Sequence, residues 1–139
     1  MESEVEAVAR RAIEVINDRT LQARAQELLD PSFVRHDLVQ LFPDSQGPIG
    51  GSDFVGMILS AMPDFRLEIE DIICSEDRAM LRLRMTGVHT GQPLLGRPAR
   101  GARLSASAIF IYRVQDGRII EAWQMIDGLA FFRLAGFLS

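Results

Sequence analysis

Three long runs of alternating apolar and polar residues constrain this chain more than any other feature. Successive side chains of a strand point to opposite faces, so such runs must be strands with one face buried. The first is "FRLEIEDII", residues 65–73, followed by "SEDR" as a turn and by "AMLRLRMTGVH", residues 79–89. "ARLSASAIFIYRV", residues 102–114, is the next. The dipeptide Asp116-Gly117 in "QDG" then signals a hairpin into "RIIEAWQMID", residues 118–127.

The segments around this meander have helical periodicity. Val5, Val8, Ala9, Ala12, Ile13 and Ile16 share one helical face, giving an amphipathic first helix that ends near "NDR". "LQARAQELL", residues 21–29, continues as a second short helix until Asp30-Pro31 breaks it. "FVRHD", residues 33–37, is a short strand, and a polar Gly/Pro-rich loop follows. Ser52 is the expected N-cap of "DFVGMILSAM", which Pro63 terminates, and "GLAFFRLAGFL" closes the chain as a short apolar helix. Helices followed by an antiparallel meander predict one α+β domain, a curved antiparallel sheet wrapped on N-terminal helices.

Composition removes several classes of function. All fifteen basic residues are arginine, and without lysine neither Schiff-base aldolase chemistry nor pyridoxal phosphate attachment is possible. A Walker-type loop would lack its lysine, so "GPIGG" is a turn. The formal charge of −4 argues against a nucleic-acid partner. No apolar run approaches the roughly 18 to 20 residues of a membrane span, and the N-terminus lacks a signal peptide's apolar segment. With a single cysteine, Cys74, the chain reads as cytoplasmic. Two isolated histidines make no metal-ligand spacing, so no metal and no other cofactor is expected.

Assigning each strand one parity shows which polar residues join apolar faces. Ala79, Leu81, Leu83 and Met85 face the same way as His89, while Arg82 and Arg84 face oppositely. In the last strand Ile119, Glu121, Trp123 and Met125 share a face with Asp127. Two polar groups at the ends of apolar strips suit the mouth or floor of a cavity. Each also has a structural role open to it. Asp127 directly precedes "GLAFFRL" and can be its N-cap; His89 before "TG" and His36 in "RHD" can each bond backbone in a turn. Trp123 fits a core position. Ser105 or Ser107 with a histidine and an aspartate could be written as a triad, but no nucleophile elbow surrounds them.

Several of these pieces, in this order, resemble the SnoaL-like polyketide cyclases of the nuclear-transport-factor-like (ketosteroid-isomerase-like) fold. "MPDFRLEIEDII" matches the family's Pro-Asp plus alternating strand, and "GVHTG" looks like its Gly-Thr-His-x-Gly segment. "RVQDGRIIEAWQMID" and "RLAG" are similar to its closing hairpin, Glu-x-Trp, Asp and Gln-Leu-Gly, so the resemblance spans roughly residues 30–138. It implies a cone-shaped α+β barrel with an apolar cavity, cofactor-free chemistry and a homodimer. It further implies that Asp127 is the acid/base aspartate, with His89 and possibly His36 as hydrogen-bonding partners around the substrate oxygen. A carboxylate ending an apolar strip would be desolvated and its pKa raised, suiting it to proton transfer. Trp123, Met125, Met85, Leu83, Phe65 and Phe110 would contact substrate. Phe110 stands where aldol-cyclising members place a histidine, and Arg97-Pro98-Ala99 replaces a Pro-Pro-Thr of relatives.

The resulting expectation is ring closure of an apolar, oxygenated, polyketide-like small molecule by acid/base catalysis. Epoxide opening on the same fold is the alternative within enzymes. A non-catalytic small-molecule-binding or dimerisation module is the alternative outside them. Arg82, Arg84, Ser105, Ser107, Ile109 and Ile111 form an outer sheet face expected to pack against a second copy.

Overall fold

The computed structural model describes residues 2–36 and 56–138. The expected Ser52 cap, the start of its helix and the polar loop before it lie outside these residues. Helix α1 (Glu4–Asn17) begins where the Ser3 hydroxyl accepts from the Glu6 backbone N–H at 3.1 Å, with Glu4 and Glu6 in the dipole-favoured first turn. It buries Val8, Ala9, Ala12, Ile13 and Val15. The expected second helix is instead a 3-10 stretch (Arg19–Arg24) and a single turn, α2 (Ala25–Leu28). Strand β1 (Leu29–His36) starts four residues before the predicted "FVRHD" and contains Pro31. Asp30 accepts from both the backbone and the hydroxyl of Ser32, a local turn that coincides with a shift of strand register between Leu29 and Val34. Proline is tolerated there because β1 is an edge strand.

Described residues 56–61 form α3, which ends two residues before Pro63. Four antiparallel strands follow: β2 (Arg66–Ser75), β3 (Arg78–Val88), β4 (Arg103–Gln115) and β5 (Arg118–Ile126). The sheet order is β1-β5-β4-β3-β2, and β1 departs from the expected all-antiparallel sheet by running parallel to β5. Both predicted hairpins form. Asp116 and Gly117 take positive φ of 54° and 74°, the pairing a tight two-residue turn between right-twisted strands requires. The other edge strand, β2, is closed by Asn17, whose amide accepts from the Leu67 N–H at 2.8 Å and donates to its carbonyl at 2.7 Å.

Helix α4 (Gly128–Ala135) returns the chain towards β4 and ends at Gly136, whose φ of 91° favours glycine. The core lies between α1, α3, α4 and the concave sheet face, where Leu81, Leu83, Ala108, Phe110 and Phe131 are buried together. This is the expected α+β architecture with a curved, mostly antiparallel sheet. No described helix is long and apolar enough to cross a membrane.

One departure decides the site. Val114 pairs with Ile119 and Arg113 with Glu121, so β5 advances two residues while β4 advances one. Ile120 is the extra residue of a β-bulge, and it reverses the parity of everything after it. Ile119 faces the core, but beyond the bulge the inward residues are Ala122, Gln124 and Ile126, not Glu121, Trp123 and Met125.

Candidate functional site

The concave face and the helices line an apolar cavity that is partly open to solvent. Phe65, Met85 and Phe110 line the sheet side, and Ile16, Ile58 and Phe131 close it from the helices. Among the described residues, two polar side chains interrupt this apolar wall: Arg35 from β1 and Gln124 from β5. Strand register explains their meeting. Arg35 pairs with Ala122, which pairs with Tyr112, and one inward step along β5 places Gln124 opposite Phe110. The small Ala122 leaves room for the larger side chains on either side of it.

These groups are deeply buried. Arg35 is 6% exposed and Gln124 4% exposed. Burial lowers the Arg35 pKa, since the charged form loses its hydration, while the neighbouring Tyr112 acts in the opposite direction. The Arg35 guanidinium also lies 5.5 Å from the Phe33 ring centroid. Tyr112 is pushed up to about 12 by burial, opposed by Arg35 and by a hydrogen bond with Gln124. The Gln124 amide oxygen Oε1 is buried without a hydrogen-bond partner, and Gln124 lines the cavity.

The residues singled out from sequence separate into three places. Phe110, Met85 and Phe65 line the cavity, and Leu83 is fully buried in the core beside it. Trp123 and Met125 do not share the buried face assigned to them, because the Ile120 bulge turns them outward; Met125 is 61% exposed. Asp127 is likewise exposed rather than buried at the end of an apolar strip. Its Oδ1 accepts from the Ala130 backbone N–H at 3.2 Å and caps α4. In the chain it stands between Ile126 and Phe131, both of which line the cavity.

Neither histidine approaches Asp127. His89 does share the inward face of β3 and is fully buried. Its Nε2 lies 2.8 Å from the Gln92 carbonyl, so Nε2 carries the donated proton; Nδ1 has no partner. The turn it locks is seated on α3: the Gly91 and Gln92 N–H groups donate to the Ala61 and Ser60 carbonyls. A Cβ on Gly91 would meet the Ser60 oxygen at 2.0 Å, so only glycine fits there. His89 lies past the Val88–Arg103 pair, whereas Ile126, next to Asp127, pairs with Ala108. Five or six residues of β4 separate those levels, about 16 to 20 Å at strand rise.

His36 occupies the outer face. Its ring stacks on Trp123 with centroids 5.0 Å apart, and its Nε2 lies 3.0 Å from Glu121 Oε2. Arg113 donates to Glu121 Oε1 at 3.1 Å and to Asp77 Oδ2 at 3.0 Å. The His36 hydrogen bond, with help from Arg113, holds the Glu121 carboxyl below its usual range. Among the described residues, no three histidine, cysteine or acidic side chains converge as a metal site.

Sequence reasoning missed Arg35 and Gln124, although signals for both were present. Arg35 shares strand parity with Phe33, an inward aromatic. The adjacent Ile119 and Ile120 break strict alternation, which is the mark a bulge leaves in sequence.

Known proteins place this geometry in a family. The model of the SnoaL-like polyketide cyclases matches residues 6–133. Aklanonic acid methyl ester cyclase DauD of Streptomyces sp. (strain C5) is 28% identical over 135 residues, covering 93% of this chain and 80% of the relative. Aklanonic acid methyl ester cyclase DnrD of Streptomyces peucetius is 28% identical over 142 residues, covering 98% and 92%. Among solved structures, AclR of Streptomyces galilaeus, a proposed hydroxylase, superposes with a TM-score of 0.84 at 24% identity over 100% of both chains. The chain belongs to the SnoaL-like polyketide cyclase family.

Proposed function

We propose that the chain is a cofactor-independent cyclase that closes a ring in an apolar, oxygenated, polyketide-like precursor held in the concave-face cavity. The observation carrying this reading is an apolar cavity interrupted by two buried polar side chains, in a family with relatives named as cyclases. Such a cavity promotes ring closure by holding a flexible chain folded, with its reacting atoms close. Asp127 is the acid/base residue of this reading, acting from between Ile126 and Phe131. It takes a proton from an activated carbon and returns one to the developing oxygen. His89 and His36 serve the fold: one locks the turn on α3, the other joins the outer charge ladder.

Asparagine caps a helix about as well as aspartate, so Asp127→Asn separates the two roles of this carboxylate. With aklanonic acid methyl ester or a related precursor as substrate, Asp127→Asn should lose roughly 10²- to 10⁴-fold in rate. Its melting temperature should stay unchanged. Near wild-type turnover by Asp127→Asn would reduce the residue to a cap.

The capping bond itself favours a second reading, in which Asp127 is structural and the protein binds without catalysis. Epoxide opening is a third, favoured by Phe110: β4 presents an apolar ring to the cavity rather than an acid/base partner. Offering the protein an epoxide and an enolisable precursor in parallel distinguishes these readings by which is consumed.

The outer face supports association with a second copy. Met80, Ile109 and Met125 are 45%, 44% and 61% exposed on adjacent strands, and the Arg82–Ile109–Met125 row is in register. Sedimentation at micromolar concentration should give a dimer, and Ile109→Glu a monomer.

A further inference from the structure

The cavity wall contains a polar corner that hydrophobic substrate binding alone leaves unexplained. Arg35, Gln124 and Tyr112 are inward neighbours on three adjacent strands, β1, β5 and β4, where Ala122 leaves space between Arg35 and Tyr112. Among the described residues lining the cavity, Arg35 is the one ionisable side chain, and no carboxylate is present. Gln124 contributes an amide whose oxygen is buried and unpartnered. An unsatisfied acceptor in a buried wall is costly unless a ligand supplies the missing hydrogen bond.

We propose that Arg35 and Gln124 form an oxygen-binding corner that takes the enolisable β-dicarbonyl part of the substrate and holds it as its enolate. This rests on the cavity being the substrate site, as argued above. An enol offers a hydroxyl that the Gln124 oxygen accepts. When the enol loses its proton to a base or to water, the electron pair spreads over the two oxygens. The Arg35 guanidinium then donates to that charge in a site poor in water, where such an interaction is strongest. Rotation of the Gln124 amide turns its N–H₂ towards the enolate. The Tyr112 hydroxyl serves either orientation, since it can donate to the amide oxygen or accept from the amide nitrogen. The corner therefore suits both protonation states of one ligand. A simple ketone or a permanent carboxylate uses only part of it.

Benzoylacetone tests this directly, because its enol and enolate absorb at different wavelengths. Acetophenone and benzoate are the single-ketone and carboxylate controls. At a fixed pH below the diketone's own pKa, the wild-type protein should raise the enolate-to-enol ratio of bound benzoylacetone at least about tenfold over its value in solution. Arg35→Met should abolish that rise. Gln124→Leu should weaken benzoylacetone binding about tenfold, the size of one charge-assisted hydrogen bond, and leave acetophenone within about twofold. Because loss of a buried arginine can unfold a chain, Arg35→Lys is measured as well, and should keep part of the enolate rise.

An unchanged enolate ratio on the wild-type protein overturns the inference. So does a Gln124→Leu protein that loses both ligands equally. Arg35-dependent binding of benzoate without ionisation of the diketone assigns the corner to a carboxylate and overturns it too. Failure of all three probes to bind overturns the cavity as the substrate site, and with it this inference.

Discussion

The two faces of the sheet are built from the same strands and use the same residue types to opposite ends. On the inner face, Arg35 lies buried among Phe33, Tyr112 and Gln124, and burial acts against its charge. On the outer face, Arg113 spans Asp77 and Glu121, part-exposed, with its charged form favoured by both. The outer ladder is a surface network of the kind that contributes little to stability. The inner pair is held in an apolar wall, where an imperfectly satisfied polar group is expensive. Neighbouring strand residues therefore become structural or chemical according to which side of the backbone they leave, and in β5 a single bulge residue decides that side.

Inserting an alanine between Glu121 and Ala122 should break this division outright. Continuous pairing would turn Ala122 and Gln124 outward and drive Trp123 and Met125 into the core. The largest effect expected of any change discussed is therefore loss of a cooperative thermal transition, read by circular dichroism. An insertion variant that melts like the wild type would mean the strand can absorb an extra residue without cost.

Next comes a pair of neighbours on β4. Phe110→Ala removes a ring from the cavity wall and should cost about 3–5 kcal/mol in chemical denaturation. Ile109→Ala, on the outer face, should stay within about 0.5 kcal/mol for the monomer. Similar losses at both positions would show the outer face to be as tightly packed as the inner.

The smallest effects concern pH, and the two faces should control opposite limbs. Tyr112 on the inner side has its folded pKa raised to about 12 from 10.0. The folded state keeps the neutral phenol while the unfolded chain ionises, so this contribution is intact below the unfolded pKa and is lost as pH rises through the folded one. Tyr112→Phe should flatten the alkaline limb of a melting-temperature profile. Glu121 and Asp77 on the outer side have lowered pKa values. Their contribution is present above the usual carboxylate range and disappears as pH falls through the folded values. Glu121→Gln should flatten the acid limb slightly, and added salt should mask the change. An acid limb insensitive to both would remove the ladder from the stability account.

Much of the fold was legible because alternation, the Asp116-Gly117 turn and the Pro63 stop each have a local physical cause. The second helix was misread. Asp30 and Ser32 bond to each other, and Leu29 joins a parallel edge strand, a tertiary pairing that local propensity does not encode. The site was legible only in part. Met85 and Phe110 were found because β3 and β4 keep strict alternation through the cavity, and Phe65 because it opens the alternating run that becomes β2. Gln124 was missed and Trp123 and Met125 misplaced, because parity was carried across Ile119-Ile120 as if no residue were extra. Arg35 was overlooked because a charged residue in a short strand suggests solvent unless its inward neighbour Phe33 is weighed.

Methionine methyl groups offer the most direct test of the central claim that the inner face, not the outer, holds the ligand. Met85 lines the cavity, whereas Met80 and Met125 project from the opposite face. With ¹³C-methyl methionine labelling, titration of benzoylacetone should shift the Met85 resonance and give ligand contacts to it. Met80 and Met125 should remain unmoved. Shifts confined to Met80 and Met125, with Met85 silent, would place the ligand beside Trp123 and contradict the account.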